Sequence, residues 1–257
     1  MLNRMTRSLP AGLAAAMLAA APAAAHFQEI LPSADMLPEG GEVELDMVFT
    51  HPFEGGPAMD MAPPAAAGMV FHGETTDLTG ALEPLPGRGA EAYRLRQRLD
   101  EPGAAVFYVE PAPYWEPAEG KFIIHYSKVV VDAFGSGEGW DAMAGLPVEI
   151  MPLSQPTSLW AGNVFSGVVM RDGAPVPFAE IEVEFVNDQG IAAPNDLYIT
   201  QVIKADANGT FTYAMPVAGW WGFAALVEAD APMVSPEGEE VPVELGALIW
   251  VNAKAVE

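Results

Sequence analysis

Four histidines are the residues whose type and spacing could do chemistry in this chain: His26, His51, His72 and His125. A neutral imidazole offers one bare nitrogen to a metal ion or a proton, and its other ring nitrogen is set by whatever accepts its N–H. All four lie in the first half of the chain and none in the second, a distribution that random scattering would give roughly one time in ten. His26 follows Ala23-Ala24-Ala25. Cleavage there would make it an N-terminus, where the α-amine and Nδ1 can close a six-membered ring on one ion. His51 continues the alternation of Val43, Leu45, Met47 and Phe49 and is followed by Pro52, so it should face inward at a strand end. His72 closes a short apolar run before Gly73. His125 shares the parity of Ile123, Val129 and Val131 inside an apolar stretch, where a buried imidazole needs a partner. Imidazole nitrogens with an amine suit borderline divalent ions, which are nickel, cobalt, copper and zinc. Met59 and Met61, a little after His51, add soft thioethers that favour copper. A lone histidine at a strand end is more often a hydrogen-bonded residue than a ligand, so this expectation depends on several converging.

The rest of the composition narrows the chemistry. With 11 Lys+Arg against 35 Asp+Glu among 257 residues, the formal charge is −24. Such a surface repels phosphate backbones and attracts cations, which argues against nucleic acid as a partner. No cysteine is present, so disulfides, thiolate metal sites, iron–sulfur clusters and Cys nucleophiles are excluded. There is no Gly-x-Ser-x-Gly elbow, no His-Glu-x-x-His and no phosphate-binding Walker loop. The chain is therefore not expected to be an enzyme.

The elements that must position the histidines read as strands. Gly 25 and Pro 24 disfavour long helices, while 51% hydrophobic against 18% charged residues gives ample core. Alternation predicts strands near 42–50, 68–72, 92–98, 104–110, 121–132 and 147–151, with one short helical turn near 138–144. After a linker-like stretch at 152–158, strands recur near 160–170, 178–186, 198–205, 210–215, 220–229 and 243–252. Asp172-Gly173 and Asn208-Gly209 read as hairpin turns. Asp206-Ala207-Asn208-Gly209 lacks the later ligands of a calcium loop and reads as a plain turn. Residues 1–25 have the layout of a cleaved signal peptide, with Arg4 and Arg7, an apolar run over 11–20, and Ala23 and Ala25 at the −3 and −1 positions. No later segment approaches the about 20 apolar residues of a membrane span. The expectation is an all-β chain of two immunoglobulin-like β-sandwich domains in tandem. A metal-binding domain over 26–155 is followed by a second sandwich over 156–257, exported to the periplasm with no transmembrane segment in the mature chain.

Several motifs carry a family resemblance: His26-Phe-Gln-Glu-Ile-Leu-Pro-Ser33, His51-Pro-Phe-Glu-Gly-Gly56, Met59-Asp-Met61, Lys121-Phe-Ile-Ile-His125-Tyr126 and Ala218-Gly-Trp-Trp-Gly-Phe-Ala224. Over nearly the whole mature chain it resembles exported proteins of unknown-function type that are assigned to nickel/cobalt transport systems of the energy-coupling type. The resemblance implies capture of Ni2+ or Co2+ in the periplasm and delivery to a membrane-embedded transporter. The second half is separately similar to carboxypeptidase-regulatory-like and transthyretin-like sandwiches, through Gly167-Val-Val169, Asp172-Gly173, Pro177, Ala179 and Asp206-Ala-Asn-Gly-Thr-Phe211. That similarity implies a structural or interaction role. Taken together, His26, His51 and His125 are expected to hold the ion, with His72 as the fourth candidate. The alternatives are a periplasmic carrier of Cu2+, a copper monooxygenase built on an N-terminal histidine, and a metal-free adhesion or carbohydrate-binding pair of sandwiches.

Overall fold

The computed structural model describes residues 26–256; the expected signal peptide lies outside them. Among the described residues the chain is built of strands, with two single-turn 3-10 helices at Thr79–Ala81 and Asp196–Tyr198. No helix among them is long and apolar enough to cross a membrane. The strands expected from alternation form at Gly41–Thr50, Ala66–Phe71, Tyr93–Leu99, Gly103–Glu110 and Lys121–Ala133 in the first half. In the second half they form at Val164–Arg171, Glu180–Phe185, Gln201–Lys204, Thr210–Ala214, Gly219–Glu228 and Val243–Lys254.

One large sheet runs through both halves. Its path is Gln201–Lys204, Glu180–Phe185, Gly219–Glu228, Val243–Lys254, Lys121–Ala133, Gly103–Glu110, Ala66–Phe71 and Glu74–Asp77. At its centre the last strand, Val243–Lys254, lies parallel to the long strand, Lys121–Ala133, from Phe122↔Val243 to Val129↔Trp250. The two halves are thus joined by a continuous hydrogen-bonded ladder, buried on both faces as parallel pairs usually are.

Alternation along these two strands sorts side chains to opposite faces. Ile123, Val129, Val131, Leu248 and Trp250 enter a core closed by the smaller sheet of Phe27–Pro32, Gly41–Thr50, Tyr93–Leu99 and Glu83–Pro84. Val243, Leu245, Ala247, Ile249 and Val251 enter a second core on the other face, closed by the sheet that pairs Val164–Arg171 with Val148–Pro152 and Thr210–Ala214. Trp250 is fully buried in the first core and its Nε1–H donates to the Gln28 carbonyl at 3.0 Å. Burying so large a ring is worth about 3 kcal/mol, and it ties the end of the chain to its beginning.

Three local expectations change. Asp172-Gly173 makes a two-residue hairpin with positive φ at both positions, but Asn208-Gly209 does not. The strands on either side of it lie in different sheets. Asp206 Oδ1 accepts from the N–H groups of Asn208 and Thr210, so the turn carries the chain from one layer to the other. The 138–144 stretch holds one turn, closed by Ala142 N–H on the Gly139 carbonyl, and no helix. The Val148–Pro152 strand, expected with the first half, pairs instead with Val164–Arg171 of the second.

Candidate metal centre

The first strand, Phe27–Pro32, pairs antiparallel with Gly41–Thr50, starting at Phe27↔Thr50. One step further along this register, His26 lies opposite His51. Their ring centroids are 4.7 Å apart, the distance expected of directly opposed side chains. Both share the face of Ile30, Met47 and Phe49, so they sit at the mouth of the first core.

The long strand brings the third histidine. A short strand, Tyr114–Glu116, pairs with it through Tyr114↔Ile123 and Glu116↔Lys121, which puts Tyr114, Glu116 and His125 on the same face. The Tyr114 ring lies 5.9 Å from that of His26 and 5.0 Å from that of Phe49. Phe49 in turn stands edge-on to His125 at 6.2 Å. His26 therefore lies against both Phe49 and Tyr114, His51 lies against His26, and His125 stands at the edge of Phe49. Beside it a cavity of about 110 Å³ is lined by Phe49, Asp60, Met61, Tyr114, Ile123 and His125, among others.

Electrostatics prepare two of the three rings. His26 Nε2 lies 3.2 Å from Glu116 Oε2. Burial, then the nearby charge of His51, lower the His26 pKa to about 4 despite Glu116. His26 is neutral across the physiological range, and with Nε2–H on the carboxylate its lone pair is on Nδ1. His125 Nε2 lies 3.4 Å from Glu244 Oε1, while its Nδ1 is buried without a hydrogen-bond partner. Burial acts to raise the Glu244 pKa, but His125 and then Lys121 outweigh it and hold it at about 2.

The His51 loop is held from the other half of the chain. Glu184 Oε2 accepts the Phe53 N–H at 3.2 Å, and its other oxygen accepts the Thr200 hydroxyl. Asn187 N–H donates to the Pro52 carbonyl at 3.3 Å. Within the loop, Gly55 and Gly56 donate to the His51 carbonyl.

His72 stands apart from these three. With Gly73 it forms the tight turn between Ala66–Phe71 and Glu74–Asp77, both residues at positive φ. Its ring rests on Phe71 and its Nε2 lies 3.8 Å from Glu101. That ring sits against Gly103, which pairs with Ala133. Ala133 lies eight residues along the long strand from His125, about 26 Å at 3.3 Å per residue. His72 is thus a turn residue at the opposite end of the sandwich. Met61 is buried, and Gln28 Nε2 approaches its Sδ at 3.5 Å; Met59 is tied by its N–H to the Phe49 carbonyl.

Among the described residues no group of three or more His, Asp or Glu side chains is placed to hold a metal ion. The histidines make a pair, His26 against His51, with His125 against Phe49 instead. Glu116, Glu244 and Glu184 escaped the sequence reading, and Tyr114 reads from sequence only as a packing aromatic. The three acids are hidden among 35, and only the cross-strand registers reveal which of those face inward.

No curated protein matches the chain. Among solved structures, α2-macroglobulin from E. coli is 13% identical at a TM-score of 0.23, with 90% of this chain covering 14% of that one. PorU from Porphyromonas gingivalis is 8% identical at a TM-score of 0.24, with 90% of this chain covering 20% of that one. A two-domain fibronectin type III segment of chicken tenascin is 10% identical at a TM-score of 0.23, with 86% and 97% covered. The chain thus spans a small part of the first two, and at such TM-scores none of the three bears on function. The model of the domain of unknown function DUF4198 matches residues 23–229, most of the chain, and the protein belongs to that family.

Proposed function

We propose that the mature chain, beginning at His26, captures Ni2+ or Co2+ as cargo in the periplasm and hands it to a membrane-embedded transporter. The observation that supports this reading is the cross-strand pair of His26 and His51, ring centroids 4.7 Å apart, with the His26 Nε2 turned to Glu116. That arrangement puts the His26 lone pair on Nδ1, on a residue whose own α-amine becomes a donor once the preceding residues are removed. Amine and Nδ1 would form the chelate, and His51 and His125 would add nitrogens. The bound ion supplies no chemistry; it is what is carried. An open donor set suits cargo that must leave again, because a closed four-ligand cage holds its ion structurally. The surrounding acids raise the local cation concentration and speed capture at low salt. The resemblance to nickel/cobalt transport proteins supports the choice of ion. The likeness of the second half to carboxypeptidase-regulatory-like modules fits its supporting role.

The test is nickel titration of the mature protein and of single alanine variants. His51→Ala and His125→Ala are each expected to weaken binding at least tenfold. Binding by both variants as tight as by the wild type would contradict the reading.

A second reading, a periplasmic copper carrier, is favoured by the Met61 thioether in the cavity that His125 also lines. Nitrogen donors bind Cu2+ more tightly than Ni2+ and do not discriminate against it. Under this reading Met61→Leu would lose Cu(I) affinity while leaving Ni2+ affinity intact; equal loss of neither ion would leave nickel or cobalt as the cargo.

A further inference from the structure

We propose that Glu244, reaching over from the last strand, is a positioning residue that fixes the ring and tautomer of His125 so that Nδ1 is its metal-facing nitrogen; this rests on the metal-capture reading above. The parallel ladder puts His125 directly beside Gly246. A Cβ at Gly246 would fall 2.8 Å from both Cγ and Nε2 of His125 and closer still to Cδ2. The glycine is therefore what lets the imidazole lie across the neighbouring strand. In that position Nε2 meets Glu244 Oε1 at 3.4 Å. Lys121 Nζ holds the other Glu244 oxygen at 2.6 Å and is itself held by Glu119 at 2.6 Å, so the carboxylate cannot swing away.

An ionised carboxylate only accepts hydrogen bonds. The proton of a neutral His125 must then sit on Nε2, and Nδ1 carries the lone pair. That nitrogen is buried and without a hydrogen-bond partner. A bare buried acceptor is costly unless a donor or a cation uses it; under the metal-capture reading the cation does so. Carboxylate–imidazole–metal relays of this kind orient the ring and raise its basicity. His26 is arranged the same way by Glu116. The difference is that Glu244 and Gly246 come from the opposite end of the chain, so the last strand builds the site as well as the sheet.

The experiment uses the mature protein with ¹⁵N-labelled histidine, free of metal, as wild type and as Glu244→Gln, followed by titration of both with Ni2+ alone. The wild type is expected to show His125 protonated at Nε2. In Glu244→Gln, whose amide can donate as well as accept, the tautomer population should shift toward Nδ1–H and nickel affinity should fall 10- to 100-fold. Unchanged His51 and His26 ring signals in the variant would show that it is folded. His125 protonated at Nδ1 in the wild type, or an unaltered tautomer in the folded variant, would overturn the inference while leaving metal capture standing. Absence of nickel binding by the wild type would instead overturn the metal reading, and the assignment of Nδ1 as a ligand with it.

Discussion

At the residue scale, the four histidines divide by what their backbone is doing. His26 and His51 are cross-strand neighbours at the open end of a ladder, and His125 lies on the long strand facing the same core. His72 has its φ at +52° in a tight turn, and its ring is half exposed beside Glu101. A turn of that type favours residues that tolerate positive φ, so the position of His72 is accounted for without a ligand role. Replacing it with alanine should change nickel affinity less than twofold by calorimetry, whereas His51→Ala should cost at least tenfold; equal losses would contradict the separate roles of the two. The parity of His51 and His125 was legible from the sequence, because apolar alternation on either side fixes which way each points. The partners that tune them were not. Nothing local marks Glu116 or Glu244 among the acids, and their roles depend on which strand lies next to which.

At the scale of the element, the long and last strands decide the site. Their parallel register demands a residue without a side chain opposite the imidazole. Gly246→Ala should therefore displace the His125 ring and destabilise the fold by about 1–3 kcal/mol, as overpacking does; a urea midpoint equal to that of the wild type would contradict this. The His51 loop rests on Glu184, whose carboxyl burial raises to about 7 although Thr200 and the Phe53 N–H oppose the shift. Its folded-state pKa lies above the ordinary 4.5. Its contribution to stability is then complete below about pH 4.5 and is lost as the pH rises through 7. Glu29 and Glu182 are also raised to about 7 by burial and act in the same direction. His26 acts oppositely. Its pKa is depressed to about 4, so its contribution is complete above 6.5 and lost as the pH falls toward 4. Glu184→Gln should gain about 2–3 kcal/mol relative to the wild type between pH 5 and pH 8, read from denaturation of the metal-free protein at the two pH values. A pH-independent difference would show that Glu184 is ionised throughout. Most strands were legible because alternation with Gly and Pro punctuation is a local signal. The first strand was not, since Phe-Gln-Glu-Ile-Leu-Pro has no clean period. Asn208-Gly209 misled because a turn signal fixes a change of direction and leaves the destination open; here the chain leaves one sheet for another.

At the scale of the whole molecule, the two halves share one sheet. Leu248 and Trp250, from the end of the chain, complete the core of the first half, and Phe122 of the long strand enters the core of the second. Pairing between strands more than a hundred residues apart leaves no trace in local periodicity, which is why sequence shows two successive runs of strands and not their fusion. Such sharing predicts one cooperative thermal transition, with the calorimetric and van't Hoff enthalpies equal; two separated transitions would show that the halves unfold independently. Under the proposed reading the acidic surface gathers cations without selecting among them, and selection falls to the few nitrogens at the mouth of the first core. Among those, the His26 amine is the donor that exists only on a chain beginning at that residue. The most direct measurement is therefore calorimetry with Ni2+ on the mature protein and on a form carrying one additional alanine before His26. The extended form keeps every side chain and moves only the amine, so its affinity is expected to fall at least tenfold; equal affinity in the two would contradict the N-terminal chelate.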